Sequence, residues 1–157
     1  MPSDEIEDLF PSLSTHGYSI DSPQAKHYNC IAWALHDTQQ YWDPNMLPVR
    51  GYYWPPGVPQ EDTVLAWVRV FEIHGHRECD AGDLEADFEK IAIFGKSDGT
   101  ATHVARQLDS GEWTSKLGKL EDIRHNTLAG LEGDYDSINN DDYGKVVQFM
   151  KRPRRTV

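Results

Sequence analysis

The sequence predicts an α+β domain, with helices in its first half and an antiparallel sheet in its second. Three observations carry this. Val64, Trp67, Val68 and Phe71 fall at i, i+3, i+4 and i+7, the spacing of one helix face. Residues 90–94, 102–108 and 112–117 are short strand-like runs punctuated by Ser97-Asp98-Gly99 and Asp109-Ser110-Gly111. Helical segments precede the strands instead of alternating with them, which argues against a parallel α/β sheet.

In chain order, residues 1–17 read as a lead-in, and the stretch to residue 22 as extended or partly helical, broken by Pro2, Pro11 and Pro23. Asn29 can cap a helix running from Cys30 to Asp37, in which Ile31 and Leu35 share a face. Residues 41–59 set Trp42, Tyr52, Tyr53 and Trp54 among five prolines, a density that forbids a regular helix and suggests a loop pinned to the body. Asp62 or Thr63 caps the second helix, and Gly75 ends it. Four strands are expected, the last over residues 145–150. Residues 121–144 are polar and rich in turn formers, which predicts surface. The tail, residues 151–157, reads as a basic, solvated end.

Size and charge narrow the function. With 157 residues the chain suits one domain with a real core. Hydrophobic residues make up 38% and aromatics 11%, too many for a disordered acidic chain. A net charge of −11, from 15 basic and 26 acidic residues, argues against a nucleic-acid or anionic-membrane partner. The start is acidic where a secretory signal is basic then apolar, and no run reaches the ~18 apolar residues of a membrane helix, so a cytoplasmic location is expected. The acids concentrate in residues 4–8, 78–89 and 132–142, which leaves a region of low charge around Cys30 and His103. No glycine-rich phosphate loop is present, so no organic cofactor is expected.

Cys30 at a helix start is a candidate nucleophile, because free N–H groups and the helix dipole favour a thiolate. His103, on a strand, could take and return its proton. A third polar group on the next strand would fix the imidazole tautomer. Ser115 fills that place if the hairpin loop has three residues, and Thr114 if it has two; Lys116 would then share the face but offers no acceptor. Asp122 and His125 are further candidates. Trp33, Trp42 and Trp54 could line a substrate groove.

Several segments resemble an uncharacterised bacterial family: Tyr28-Asn29-Cys30-Ile31-Ala32-Trp33-Ala34, Tyr53-Trp54-Pro55-Pro56-Gly57, Thr102-His103-Val104-Ala105-Arg106-Gln107, and Trp113 to Gly118. The likeness runs from about residue 18 to residue 153 and takes in Asp122-Ile123-Arg124-His125 and Tyr143-Gly144-Lys145. In motif order this is similar to papain-like cysteine hydrolases of the CHAP type. That resemblance implies a papain-like fold, Cys30 as nucleophile, His103 as base and acid, and a peptide or amide substrate. Gln24, six positions before Cys30, has the spacing of papain's oxyanion-stabilising glutamine.

Two other readings compete. His74, His76 and Cys79 could bind zinc, with His16 or His27 as a fourth ligand. Alternatively, the domain is a non-catalytic acidic binding module.

Overall fold

The computed structural model describes residues 4–139 and 142–154. The chain opens with α1 (Asp4–Leu9) and α2 (Leu13–His16), then β1 (Tyr18–Ser22), α3 (Cys30–Ala34), β2 (Tyr41–Trp42), β3 (Tyr52–Tyr53) and α4 (Val64–Ile73). The remaining elements are β4 (Arg77–Cys79), β5 (Phe88–Gly95), β6 (Ala101–Gln107), β7 (Trp113–Lys116), β8 (Asp122–His125), a 3-10 turn (Ala129–Leu131) and β9 (Lys145–Pro153). Seven strands form one antiparallel sheet in the order β1-β8-β7-β6-β5-β9-β4, and β2 and β3 pair separately and in parallel. The α+β class expected from the sequence is the class observed. Among the described residues no helix is long and apolar enough to cross a membrane.

Both faces of the sheet are covered. On one, α3 and α4 pack Ile31, Trp67 and Phe71 against Ile91, Ile93, Val104 and Met150. On the other, Ile6 of α1, Phe10 of the turn after it and Leu13 of α2 cover Ala92, Phe94, Ala105, Trp113 and Ile123. This explains why β5 reads as an unbroken apolar run: alternate side chains enter different cores.

Local chemistry sets the helix limits. The Asn29 side chain accepts from the Ala32 N–H and so caps α3. The helix stops at Ala34, short of the expected Asp37, because His36 turns left-handed with φ 63°. The His36 N–H then bonds to the Trp33 carbonyl and the Asp37 N–H to the Ala32 carbonyl, closing the end. Thr63 caps α4, accepting from the Ala66 N–H, while Asp62 receives the Trp67 indole N–H instead. Leu65, on the outer face, is exposed.

Three expectations are corrected. The N-terminal segment is partly helical and partly extended as expected, but it is also part of the core, since Ile6, Phe10 and Leu13 are buried and β1 forms the sheet edge. Residues 121–144 are only partly surface, since β8 pairs with β7 and buries Asp122, Ile123 and His125; its polar side chains are buried because they are hydrogen-bonded. Lys151, Arg152 and Pro153 continue β9, and Arg152 is buried against Glu89, so the basic tail is not a solvated end there. Arg155 and the residues after it lie outside the described residues.

Asn29 also ties the aromatic loop to α3. Its Nδ2 donates to the Trp42 carbonyl at 2.8 Å, and its Oδ1 accepts from the Trp42 N–H at 3.2 Å. Asn29→Ala should cost about 2–4 kcal/mol in urea unfolding, from the lost cap and two buried groups left unpaired. A loss below about 0.5 kcal/mol would show that the tie contributes little.

Candidate functional site

Cys30 opens α3 and faces β6, where the Val104 backbone N–H points at its sulfur. The β6–β7 ladder pairs Arg106 with Thr114 and Gln107 with Trp113 and runs no further towards the start of β6. Cys30 therefore meets β6 beyond the last paired rung. A cavity of about 330 Å³ opens there, lined by Cys30, His103, Asp62 and Trp67, and by Tyr143 from the opposite core. His103 and Cys30 thus belong to different faces of the sheet yet border one space.

The hairpin has the three-residue loop that makes Ser115 the partner of His103. The Leu108 N–H bonds to the Glu112 carbonyl around Asp109-Ser110-Gly111, with Gly111 at φ 93°. Ser115 then lies beside Ala105, and its Oγ is 2.9 Å from His103 Nε2. The same oxygen is 2.8 Å from His125 Nε2, and His125 Nδ1 is 2.9 Å from the Thr127 carbonyl.

This chain assigns its own protons. A carbonyl only accepts, so His125 carries its proton on Nδ1. When neutral, His125 accepts at Nε2, and Ser115 donates to it. Ser115 then accepts from His103, which carries its proton on Nε2. The lone pair of His103 is left on Nδ1, an atom that makes no hydrogen bond among the described residues. Burial pushes both imidazoles towards neutrality: His103 is well below the usual histidine range, with His125 adding to the effect, and His125 is lowered to about 4. Tyr143 lies flat on His103 with ring centroids 4.2 Å apart, fixing the plane of the imidazole.

The thiol departs from expectation. Burial raises Cys30 to about 12, and the Asp62 carboxylate adds to this; the Val104 N–H opposes it. A helix of five residues is too short to offset the desolvation. No hydrogen bond joins Cys30 to His103, and the thiol rests protonated on the cavity that His103 also lines. The low-charge surroundings expected from the sequence are also corrected, because Asp43 and Asp62 line the cavity. Burial raises the Asp62 carboxyl, with Asp43 contributing, while the Trp67 indole opposes.

Other candidates fall elsewhere. Gln24 is exposed and donates to Glu5 and Glu121, away from the cavity, so it is not an oxyanion donor here. Trp33 gives its indole N–H to Thr114 Oγ1, and Trp54 is buried with its indole N–H on the Pro59 carbonyl; neither lines the cavity, although Trp42 does. Thr114 and Asp122 belong to the α3 face, where Asp122 accepts from Ser22 and Tyr28. Lys116 donates to the Gly118 and Leu120 carbonyls. His74 Nδ1 bonds to the Val70 carbonyl and Cys79 faces the Ala81 carbonyl. Among the described residues no group of three His, Cys, Asp or Glu could hold a metal ion. Sequence reasoning missed Asp43, Asp62 and Tyr143 as site residues. Asp62 carried a signal for helix capping alone, and Tyr143 only its place beside Gly144.

Residues 19–151 match the family described as a domain of unknown function (DUF7689), and the chain belongs to that family. No curated protein and no solved structure matches it.

The buried histidines make stability depend on pH in a defined direction. His125 titrates near 6.5 when unfolded and about 4 when folded, so the contribution is complete above 6.5 and is lost as pH falls from there towards 4. Urea unfolding should show roughly 2 kcal/mol more loss between pH 7 and pH 5 for the wild type than for His125→Gln. Equal losses would mean that His125 is not held neutral.

Proposed function

We propose that the protein is a cysteine hydrolase of amide bonds, with the papain-like arrangement of a helix-borne cysteine and a strand-borne histidine. The observation that carries this reading is the unpaired Nδ1 of His103 on the cavity that the Cys30 thiol also borders. Nδ1 takes the thiol proton as Sγ bonds to the acyl carbon. The tetrahedral intermediate collapses, the C–N bond breaks, and His103 returns the proton to the departing amine. Water, deprotonated by His103, then releases the acid from the thioester, and the thiolate recovers its proton. Ser115 and His125 act as positioning residues, since they hold the proton of His103 on the far nitrogen.

A second reading, a binding module without catalysis, is favoured by the protonated, buried state of Cys30. An activated ester separates the two. With p-nitrophenyl acetate, the wild type should acetylate Cys30, detected by mass spectrometry, and turn over. Cys30→Ala should lose this entirely and His103→Ala should lose about a hundredfold or more. Ser115→Ala should lower the rate and shift its pH profile, because His103 is then free to change tautomer. Ester hydrolysis at the wild-type rate in both Cys30→Ala and His103→Ala would sink the hydrolase.

A further inference from the structure

The cavity beside Cys30 has a charge of one sign. Asp43 and Asp62 line it, and among the described residues no lysine or arginine does. Neither carboxylate has an ion-pair partner among the described residues. Asp62 accepts from the Trp67 indole at 3.2 Å and from Asn45 Nδ2 at 3.2 Å, and Asp43 Oδ1 accepts from the Asn45 N–H at 2.8 Å. These neutral donors hold the two side chains in place without cancelling their charge. The walls beside them are aromatic, with Tyr41, Trp42 and Trp67. Such rings exclude water and present electron-rich faces to a cation.

A second observation bears on the same space. Cys30 is 8% exposed and its sulfur receives the Val104 N–H, but its own thiol proton goes to no acceptor among the described residues; His103 is 1% exposed, and its Nδ1 has no hydrogen-bond partner among them. Two nearly buried groups with unused bonding capacity on one cavity indicate that a ligand enters it.

We infer that the acyl donor carries a positive charge, an ammonium or guanidinium group, seated against Asp43 and Asp62 within the cavity that holds the thiol. The inference rests on the proposed hydrolase for the word acyl and on the cavity alone for the charge. A neutral peptide would leave both carboxylates desolvated and unpaired on closure, and an anionic one would be repelled. A cation gains from both carboxylates and from the rings.

The test reads charge selectivity at Cys30 without requiring turnover. In a Cys79→Ser background, Cys30 is modified with the trimethylammonioethyl and sulfonatoethyl methanethiosulfonates. Each reaction forms a mixed disulfide with the thiolate and releases methanesulfinate. Rates are divided by those of a small free thiol under the same conditions. The cationic reagent should be favoured by at least about tenfold, as in other focused electrostatic clefts. Asp62→Asn and Asp43→Asn should each cut that ratio severalfold, while Asp80→Asn, which removes the same charge elsewhere, should leave it unchanged. Circular dichroism checks that the variants are folded, and His103→Ala should keep the ratio even if hydrolysis is lost. A ratio untouched by both cavity variants would overturn the inference. So would a Cys30 that reacts with neither reagent, because the cavity then admits no charged head group.

Discussion

A hydroxyl group carries one proton, and Ser115 stands between two imidazoles with its oxygen 2.9 Å from one and 2.8 Å from the other. The Thr127 carbonyl decides which way that proton points, because it can only accept. Direction then passes along His125 and Ser115 to His103, and the free lone pair emerges at the cavity. All of this depends on the register of the β6–β7 hairpin. A shift of one residue would bring Thr114 or Lys116 to the place of Ser115, and with Lys116 there His103 would have no acceptor. The left-handed Gly111 and the three-residue loop are what hold the register.

The buried polar groups near the site differ between the two faces of the sheet, although Lys90, which alternates with Ile91 and Ile93, is a buried cation on the side of Ala92 and Phe94. The chain of His103, Ser115 and His125 is neutral and shares its core with Phe94 and Tyr143. The α3 face carries charge. Lys116 is fully buried, gives its protons to two carbonyls and lies 5.3 Å from the Tyr28 ring centroid. Asp122 pairs opposite it across the strands. Towards the far end, Glu89 gathers His36, Arg152 and Arg154. A buried charge beside the two imidazoles would shift their titration and could reverse the direction of the hydrogen-bond chain. His103 is lowered by burial first and by His125 second.

Much of this was legible in the residues. The repeat of Val64, Trp67, Val68 and Phe71 names α4, and Asp109-Ser110-Gly111 names the hairpin, leaving Ser115 or Thr114 to be decided by the loop length. What was hidden has a common cause. Lys90 to Phe94 is apolar throughout because β5 is covered on both faces, so its period of two is erased, and nothing tells which face α3 will occupy. The side of β6 that His103 takes relative to Cys30 was for that reason unreadable. Strand β8 was hidden by the opposite effect: Asp122, Arg124 and His125 look like surface residues, but two of the three are buried with hydrogen-bond partners. Composition reports polarity, and burial depends on partners supplied from distant positions, such as Ser22 and Tyr28 for Asp122.

The resting state poses a problem that the cavity's acidity helps to resolve. Burial holds Cys30 protonated and His103 neutral, so moving the proton between them is uphill while the cavity is empty. Asp62 makes it worse, since a nearby carboxylate opposes the thiolate. A positively charged ligand on Asp43 and Asp62 reverses that contribution. It cancels the carboxylate's effect on the sulfur and adds a cation that favours the thiolate directly. The same cation would disfavour the imidazolium, but His103 reaches the cavity from the other core, where Tyr143 covers its ring and Ser115 accepts its far proton. The thiol is the group that Asp62 perturbs, and so the group that gains most from the ligand. Under the proposed hydrolase, Asp62, which opposes the thiolate at rest, would also help to recruit the charge that favours it, and activation of Cys30 would then follow occupancy of the site.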